Sequence, residues 1–238
     1  MNLAGLQDHA CLMDRVYRPQ LQVYDLTRRF FLLGRMHLLS WIGDSRPAHV
    51  LEIGSGTGWN LIKLAKQDRL VSLYGLECSE AMLGRAGRQI KRQGLAERIQ
   101  LAKGMAEDFD PRELFGRQSF DVVFFSYVVS MLFDWRAALA RALSFIAPGG
   151  RLLVLDFWDL HSYPAFCRAG LRWWLNLFRV RYDPEMLLFL AQLSQKNACR
   201  FDFRSIGTSY AWLAGISRPC KVEQSANGVA VNGLRIGT

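Results

Sequence analysis

The stretch Val50-Leu-Glu-Ile-Gly-Ser-Gly-Thr-Gly-Trp59 constrains this chain more than any other. A short apolar run, Val50–Ile53, enters three alternating glycines, and a segment with helical periodicity, Leu61–Lys66, follows. Glycine lets the backbone turn sharply and approach a ligand closely. A helix that starts at such a turn presents free N–H groups to that ligand. The spacing narrows the ligand. A dinucleotide loop reads G-x-G-x-x-G, its third glycine allowing close packing of helix on strand. Here the glycines are Gly54, Gly56 and Gly58, and Trp59 stands where that third glycine would fall. Glu52, just before the loop, suits a ligand with an ammonium group better than a pyrophosphate. Glu77, at the end of the next apolar run, can accept both hydroxyls of a ribose. A tight turn in any α/β protein is the bland alternative, and the loop, Glu52 and Glu77 taken together argue against it.

Strands and helices alternate beyond the loop. Val71–Leu76, Ile99–Ala102, Phe120–Phe125 and Arg151–Phe157 read as buried strands. Glu80–Gln93 reads as a polar, basic helix ended by Gly94, and Trp135–Ile146 as a helix stopped by Pro148-Gly149-Gly150. This alternation predicts βαβ units and a parallel sheet. Residues 12–42 read as helical, with aromatics and arginines interleaved, and Gly43–Pro47 as a break.

The glycine loop followed by a strand-terminal Glu resembles the class I S-adenosylmethionine-dependent methyltransferases. Gly104-Met-Ala-Glu-Asp108 resembles their adenine-flanking turn, Phe120-Asp-Val-Val-Phe-Phe125 their fourth strand, and Ala147-Pro-Gly-Gly-Arg-Leu-Leu-Val-Leu155 their turn into strand five. The resemblance covers about Val50–Asp156. It implies an α/β fold: a Rossmann-like seven-stranded sheet with helices on both faces and an N-terminal helical cap. It implies S-adenosylmethionine as cofactor. Gly54, Gly56 and Gly58 would hold its methionine end, Glu52 its amino group and Glu77 its ribose. Cys78, Met105, Ala106, Glu107 and Ser126 complete the implied cofactor positions. Many members carry an Asp where Met105 stands, to bond the adenine amine. Met105 has no such group, which passes the role to the Ala106 backbone or to Glu107.

A narrower resemblance lies in the flanks. Tyr17-Arg-Pro-Gln-Leu-Gln-Val-Tyr-Asp-Leu-Thr-Arg-Arg-Phe-Phe-Leu-Leu-Gly-Arg35 is similar to the opening of the bacterial diacylglyceryl-homoserine N-methyltransferases, which complete betaine lipids. Tyr127-Val-Val-Ser-Met131, Asp134-Trp135, Leu155-Asp-Phe157, Phe166…Arg172-Trp173…Phe178-Arg-Val180 and Tyr210-Ala-Trp-Leu213 resemble later parts of that group. Trp158 departs from an expected glycine and Arg179 from an expected histidine. The resemblance implies methyl transfer to a lipid amine at an anionic membrane surface. It places the protein in the cytoplasm, peripheral at the inner face of the membrane, with the enzyme that makes the homoserine lipid as a partner.

Chemistry sets requirements on such a site. A methyl-accepting amine must arrive neutral or lose a proton on binding. An in-line displacement draws much of its rate from positioning. The product is a fixed cation, which aromatic faces attract. Tyr17, Tyr24 and Tyr127 are candidates for that lining. Arg18, Asp25, Arg28, Ser130 and Asp156 are candidates for acceptor binding, with Asp25 or Asp156 taking the proton or holding the amine. Each tyrosine taken alone reads equally as a half-buried core residue, and Asp25 as a helical partner of Arg28 or Arg29.

Charge and composition add bounds. Lys and Arg number 30 against 21 Asp and Glu, a net +9 on 238 residues. No apolar run approaches the roughly 18 residues of a membrane-spanning helix. Met1–Cys11 lacks the basic start and apolar stretch of a cleavable signal. The five cysteines are scattered, without C-x-x-C, which fits a reducing compartment and no metal site. Tyr163–Tyr182 holds Arg168, Arg172, Arg179 and Arg181 and no acid before Asp183. On a helical wheel Arg168, Arg172 and Arg179 fall within about 40° of one another, opposite Phe166, Trp173, Trp174, Leu177 and Phe178. Such a helix can lie in a membrane interface through Arg168, Arg172, Trp173, Trp174 and Arg179. The alternative is that the aromatic face packs on the sheet and the arginines are solvated. These boundaries predict a cap over 1–46, a methyltransferase domain over 47–220 with an inserted helix near 163–182, and a polar tail over 221–238. Two rival functions differ in the acceptor. A nucleic-acid methyltransferase fits the basic charge, but no N-P-P-Y or D-P-P-Y follows strand four, where Phe125-Ser-Tyr127 stands, so no nucleic-acid partner is expected. An N- or O-methyltransferase of a soluble small molecule, its arginines binding a carboxylate or phosphate, is the other.

Overall fold

The computed structural model describes residues 32–177, 180 and 182–220. Tyr17, Arg18, Tyr24, Asp25, Arg28, Arg179 and the tail 221–238 lie outside the described residues, as do the side chains of Arg172 and Trp174. The elements run α1 (Arg35–Asp44), β1 (His49–Ile53), α2 (Trp59–Gln67), β2 (Ser72–Glu77), α3 (Glu80–Arg92), β3 (Ile99–Lys103) and α4 (Pro111–Phe115). Then come β4 (Phe120–Ser126), α5 (Trp135–Ser144), β5 (Ile146–Phe157), α6 (Ala165–Leu177), α7 (Glu185–Lys196), β6 (Arg200–Ile206) and β7 (Ala211–Ser217).

The strands form one seven-stranded sheet in the order β3-β2-β1-β4-β5-β7-β6. Its first five strands are parallel, and β7 runs antiparallel to both neighbours. The alternation of strand residues divides the core, because successive side chains point to opposite faces. Val50, Leu73, Val122, Phe124 and Leu153 pack with Leu38, Leu39 and Ile42 of α1, Leu61 of α2 and Ile90 of α3. Leu51, Val123, Phe125, Leu152 and Val154 pack with Leu139 and Ala142 of α5 and Leu190 of α7. Helix starts follow local chemistry. Ser79 and Asp134 cap α3 and α5 with side-chain oxygens that accept N–H bonds from Met82 at 3.3 Å and Ala137 at 2.9 Å. The starts of α1 and α2 instead use left-handed Gly34 (φ 81°) and Gly58 (φ 75°).

Three expectations are corrected. The break expected at Gly43 begins at Ser45, because α1 continues to Asp44. The helix expected over Trp135–Ile146 ends at Ser144, and Pro148-Gly149-Gly150, expected as its stop, lies inside β5, which starts at Ile146. The β6–β7 hairpin and α7 form no periodic pattern in the sequence. β7 is buried on both faces over six of its residues, and β6 is an exposed edge, so neither alternates. The inserted helix is shorter than 163–182, spanning Ala165–Leu177. It packs on the core through buried Leu175 and half-buried Leu171. Phe166 and Trp173, seven residues apart and therefore on one face, point outward, 78% and 67% exposed. For these two residues the packing alternative is excluded. Trp158, in place of the expected glycine, packs edge-on against Phe203 of β6, ring centroids 5.5 Å apart. Among the described residues no helix is long and apolar enough to cross a membrane.

Candidate cofactor site

The strand order reverses between β1 and β4, and an α/β sheet opens a crevice outside the carboxyl ends of its strands at such a switch. The glycine loop leaves β1 at this point and Ser126-Tyr127 leaves β4. Gly54, Gly56 and Gly58 all have positive φ (74°, 54° and 75°). The loop is tied across the end of β2: Gly54 and Ser55 N–H donate to the Leu76 carbonyl at 2.8 and 3.0 Å. A Cβ on Gly54 would lie 2.5 Å from Val128 Cγ2, so the post-β4 segment can pass only over a glycine.

Glu77 is held where β2 ends. Its Oε2 accepts the Gly56 N–H at 2.8 Å and its Oε1 the Ser79 N–H at 3.0 Å. Oε2 keeps lone-pair capacity for a ribose hydroxyl. The Cys78 thiol donates to Glu77 Oε1 at 3.6 Å. Burial, reinforced by the Glu77 charge, pushes that thiol well up from its usual range, so Cys78 is no thiolate nucleophile. Glu52 is 2% exposed, and its Oε1 accepts the Asn60 amide N–H at 2.6 Å. Asn60 Oδ1 in turn accepts from Arg35 Nε at 2.9 Å. The Arg35 guanidinium lies over the Trp59 ring, 3.9 Å from its centroid. Arg35, Glu52, Gly54, Trp59, Asn60 and Ser126 line a cavity of about 220 Å³.

The adenine-flanking turn is also in place. Met105 pairs with Asp108 in an isolated bridge, and Ala106 and Glu107 are buried. Glu107 Oε1 accepts the Asp134 N–H at 3.3 Å, while its Oε2 is buried with no hydrogen-bond partner among the described residues. The Ser55 and Ser126 hydroxyls are buried in the same condition. Orphaned polar atoms of this kind mark where a polar ligand completes a site. Glu52, Glu77 and Glu107 would meet the ammonium, diol and exocyclic amine of S-adenosylmethionine, and the glycine cradle admits close approach. The residues present fit that molecule.

The acceptor-side candidates within the described residues take other positions. Tyr127 is 1% exposed and sits at φ 57°. Its hydroxyl donates to the Leu33 carbonyl and its ring lies 4.4 Å from that of Phe157. Burial, with Tyr210 and Asp156 nearby, raises this phenol well above its usual range. It anchors the segment before α1 rather than lining an open acceptor pocket. Asp156 is fully buried. Its Oδ2 accepts the Ser130 N–H at 2.9 Å, and its Oδ1 accepts the Ser130 hydroxyl and the Phe157 N–H, both at 2.8 Å. Burial pushes its carboxyl up to about 6, against the pull of those hydrogen bonds. Asp156 and Ser130 are spent on each other, fixing the turn after β4 to β5, and neither offers itself to an amine.

Arg35 and Asn60 carry no site role in the sequence, and Trp59 stands out there only as the residue in place of a third glycine. Their only signal was position: Trp59 and Asn60 open the helix after the glycine loop, and Arg35 opens α1. The contact between Arg35 and Asn60 spans 25 residues, which no local pattern reveals.

Residues 50–150 match the sequence profile of a family described as a methyltransferase domain. Among relatives, a demethylmenaquinone methyltransferase of Bacteroides fragilis is 24% identical over 130 residues, covering 55% of this chain and 51% of that protein. The ubiquinone/menaquinone biosynthesis C-methyltransferase UbiE of Bartonella tribocorum is 22% identical over 230 residues, covering 85% and 86%. This chain thus spans about half the length of the first relative. Among solved structures, an O-methyltransferase family protein of Burkholderia thailandensis superposes with a TM-score of 0.60 at 20% identity, covering 90% of this chain and 60% of that one. The fold, with its sheet order and glycine loop, is that of the class I S-adenosylmethionine-dependent methyltransferases.

Proposed function

We propose that this protein transfers methyl groups from S-adenosylmethionine to the amine of a diacylglyceryl-homoserine lipid, at an anionic membrane surface on the cytoplasmic side. The observation that carries the lipid reading is the outward pair Phe166 and Trp173 on α6. This helix follows the carboxyl end of β5, the sheet edge at which the cofactor cleft opens. An amphipathic helix that turns a Phe and a Trp outward suits the interfacial depth of a membrane. A partner that makes the homoserine lipid would work on that same surface.

The donor, when bound, supplies an electrophilic methyl on a sulfonium. There the lone pair of the amine nitrogen would take that methyl, the S–C pair staying on sulfur and the amine proton passing to solvent water. The residues of this chain serve that step by positioning. Glu52 and Glu77 fix the two ends of the donor beside the loop, and the Gly54–Gly58 backbone holds the methionine end close. Tyr127 and Asp156 set the geometry of the wall opposite without touching the reacting atoms.

A second reading rests on the relatives: methyl transfer to a quinone precursor, named for both and called C-methyl transfer in the name of the Bartonella tribocorum protein. One experiment separates the two. The protein is expressed in a bacterium that makes diacylglyceryl-homoserine, and lipids and quinones are analysed by mass spectrometry. Homoserine lipid gaining mass in steps of one methyl is the expected result. Unchanged homoserine lipid with methylated quinone would replace the first reading by the second.

A further inference from the structure

We infer that Arg35 reads the carboxylate of the donor's methionine end, an inference that rests on S-adenosylmethionine being the donor. An α-amino acid end carries an ammonium and a carboxylate a few bonds apart, so a site that reads it needs an anion and a cation at matched spacing. Glu52 is the anion. Among the described residues lining the cavity, Arg35 is the one cation. A single side chain sets the distance between them. Asn60 donates its amide N–H to Glu52 Oε1 at 2.6 Å and accepts from Arg35 Nε at 2.9 Å through its carbonyl oxygen.

The guanidinium is held for this task from three sides. Nε is tied to Asn60, and one face lies on the Trp59 ring at 3.9 Å. Its backbone is also pinned. Gly34, with φ 81°, lies so close to β6 that an added Cβ would come within 2.9 Å of Ile206 Cγ2, and the preceding Leu33 carbonyl accepts from the Tyr127 hydroxyl. The planar guanidinium, tied at Nε and stacked on a ring, has the fork geometry that matches a carboxylate. Trp59 thereby gains a reason to stand where a dinucleotide loop would have glycine. Its ring is the platform that orients Arg35.

The competing possibility is that Arg35 only props Asn60 and the loop. Calorimetric titration separates the two with S-adenosylmethionine and its decarboxylated form, which lacks the carboxylate alone. The wild-type protein should bind S-adenosylmethionine roughly tenfold to a hundredfold tighter than the decarboxylated form, the range expected for a hydrogen bond between charged groups. Arg35→Met should erase that preference by weakening S-adenosylmethionine while leaving the decarboxylated form within about twofold. Arg35→Lys should keep part of it. Equal weakening of both ligands by Arg35→Met would overturn the inference in favour of a prop. Equal affinity of the wild-type protein for both would overturn it without any variant, so a variant that fails to fold does not shelter it. Binding of neither ligand to the wild-type protein would remove the donor itself and the inference with it.

Discussion

Single side chains in this protein are set by what surrounds them more than by their type, and Asp156 is the clearest case. Its folded carboxyl lies at about 6 against an ordinary 3.8, raised by complete burial. A group whose folded value is raised holds its proton more tightly in the folded state. Its contribution to stability is therefore full below about pH 4 and is lost as pH rises through about 6, a swing on the order of 3 kcal/mol. Asp156→Asn should destabilise the protein, because the amide nitrogen cannot accept the Ser130 N–H. It should also remove this swing. The stability difference between wild type and variant, from urea unfolding, should shrink between pH 4 and 7, and a constant difference would refute the assignment. Glu77 is set by its neighbours in another way: each of its oxygens accepts a backbone N–H, and Oε2 keeps a lone pair for a ribose hydroxyl. Glu77→Ala should weaken donor binding by more than about tenfold, and unchanged affinity by calorimetry would remove Glu77 from the site.

At the scale of elements, the helix α6 shows what periodicity contains and what it leaves out. The wheel separates arginines from aromatics, yet it cannot say which sector meets the sheet. Leu171 and Leu175, which the wheel places beside the arginine stripe, make that contact, and Phe166 and Trp173 of the aromatic sector are left in solvent. A helix packs by whichever sector fits the groove beneath it, and small differences in leucine placement decide this. Because Phe166 and Trp173 are exposed, replacing both by Ser should leave the melting temperature unchanged. Under the lipid reading the same double variant should lose most of its binding to vesicles rich in anionic phospholipid, measured by co-sedimentation. Retained vesicle binding would detach α6 from the membrane. The glycine loop and the first five strands were legible because each is local: a strand, a turn and a cap lie within a few residues. The Glu52–Asn60–Arg35 chain was not, since it joins β1, α2 and α1 through the fold.

At the scale of the whole molecule, the cleft lies where the two halves of the sheet diverge. Its walls come from α1 and the β1 loop on one side and from the β4 exit on the other. Gly54 under Val128 and the Tyr127–Leu33 bond lock these walls into the core that α1, α2 and α3 build on one face. A ligand in this cleft therefore touches parts of the protein that cannot open separately without breaking buried packing. If unfolding is one cooperative event, a donor analogue that binds only the folded state must stabilise the whole chain. S-adenosylhomocysteine at a hundred times its Kd adds about 2.7 kcal/mol by mass action. For a domain of this size that corresponds to a rise of roughly 5–11 °C in the melting temperature. A single transition shifted by that amount is the expected scan. The Glu77→Ala variant at the same ligand concentration should shift by about half of it or less, because a Kd raised at least tenfold leaves about 1.4 kcal/mol. A wild-type transition unmoved by a ligand that calorimetry shows to bind would mean that the cleft opens before the sheet does. In that case α1 and the two loops form a unit of lower stability than the strands they cover.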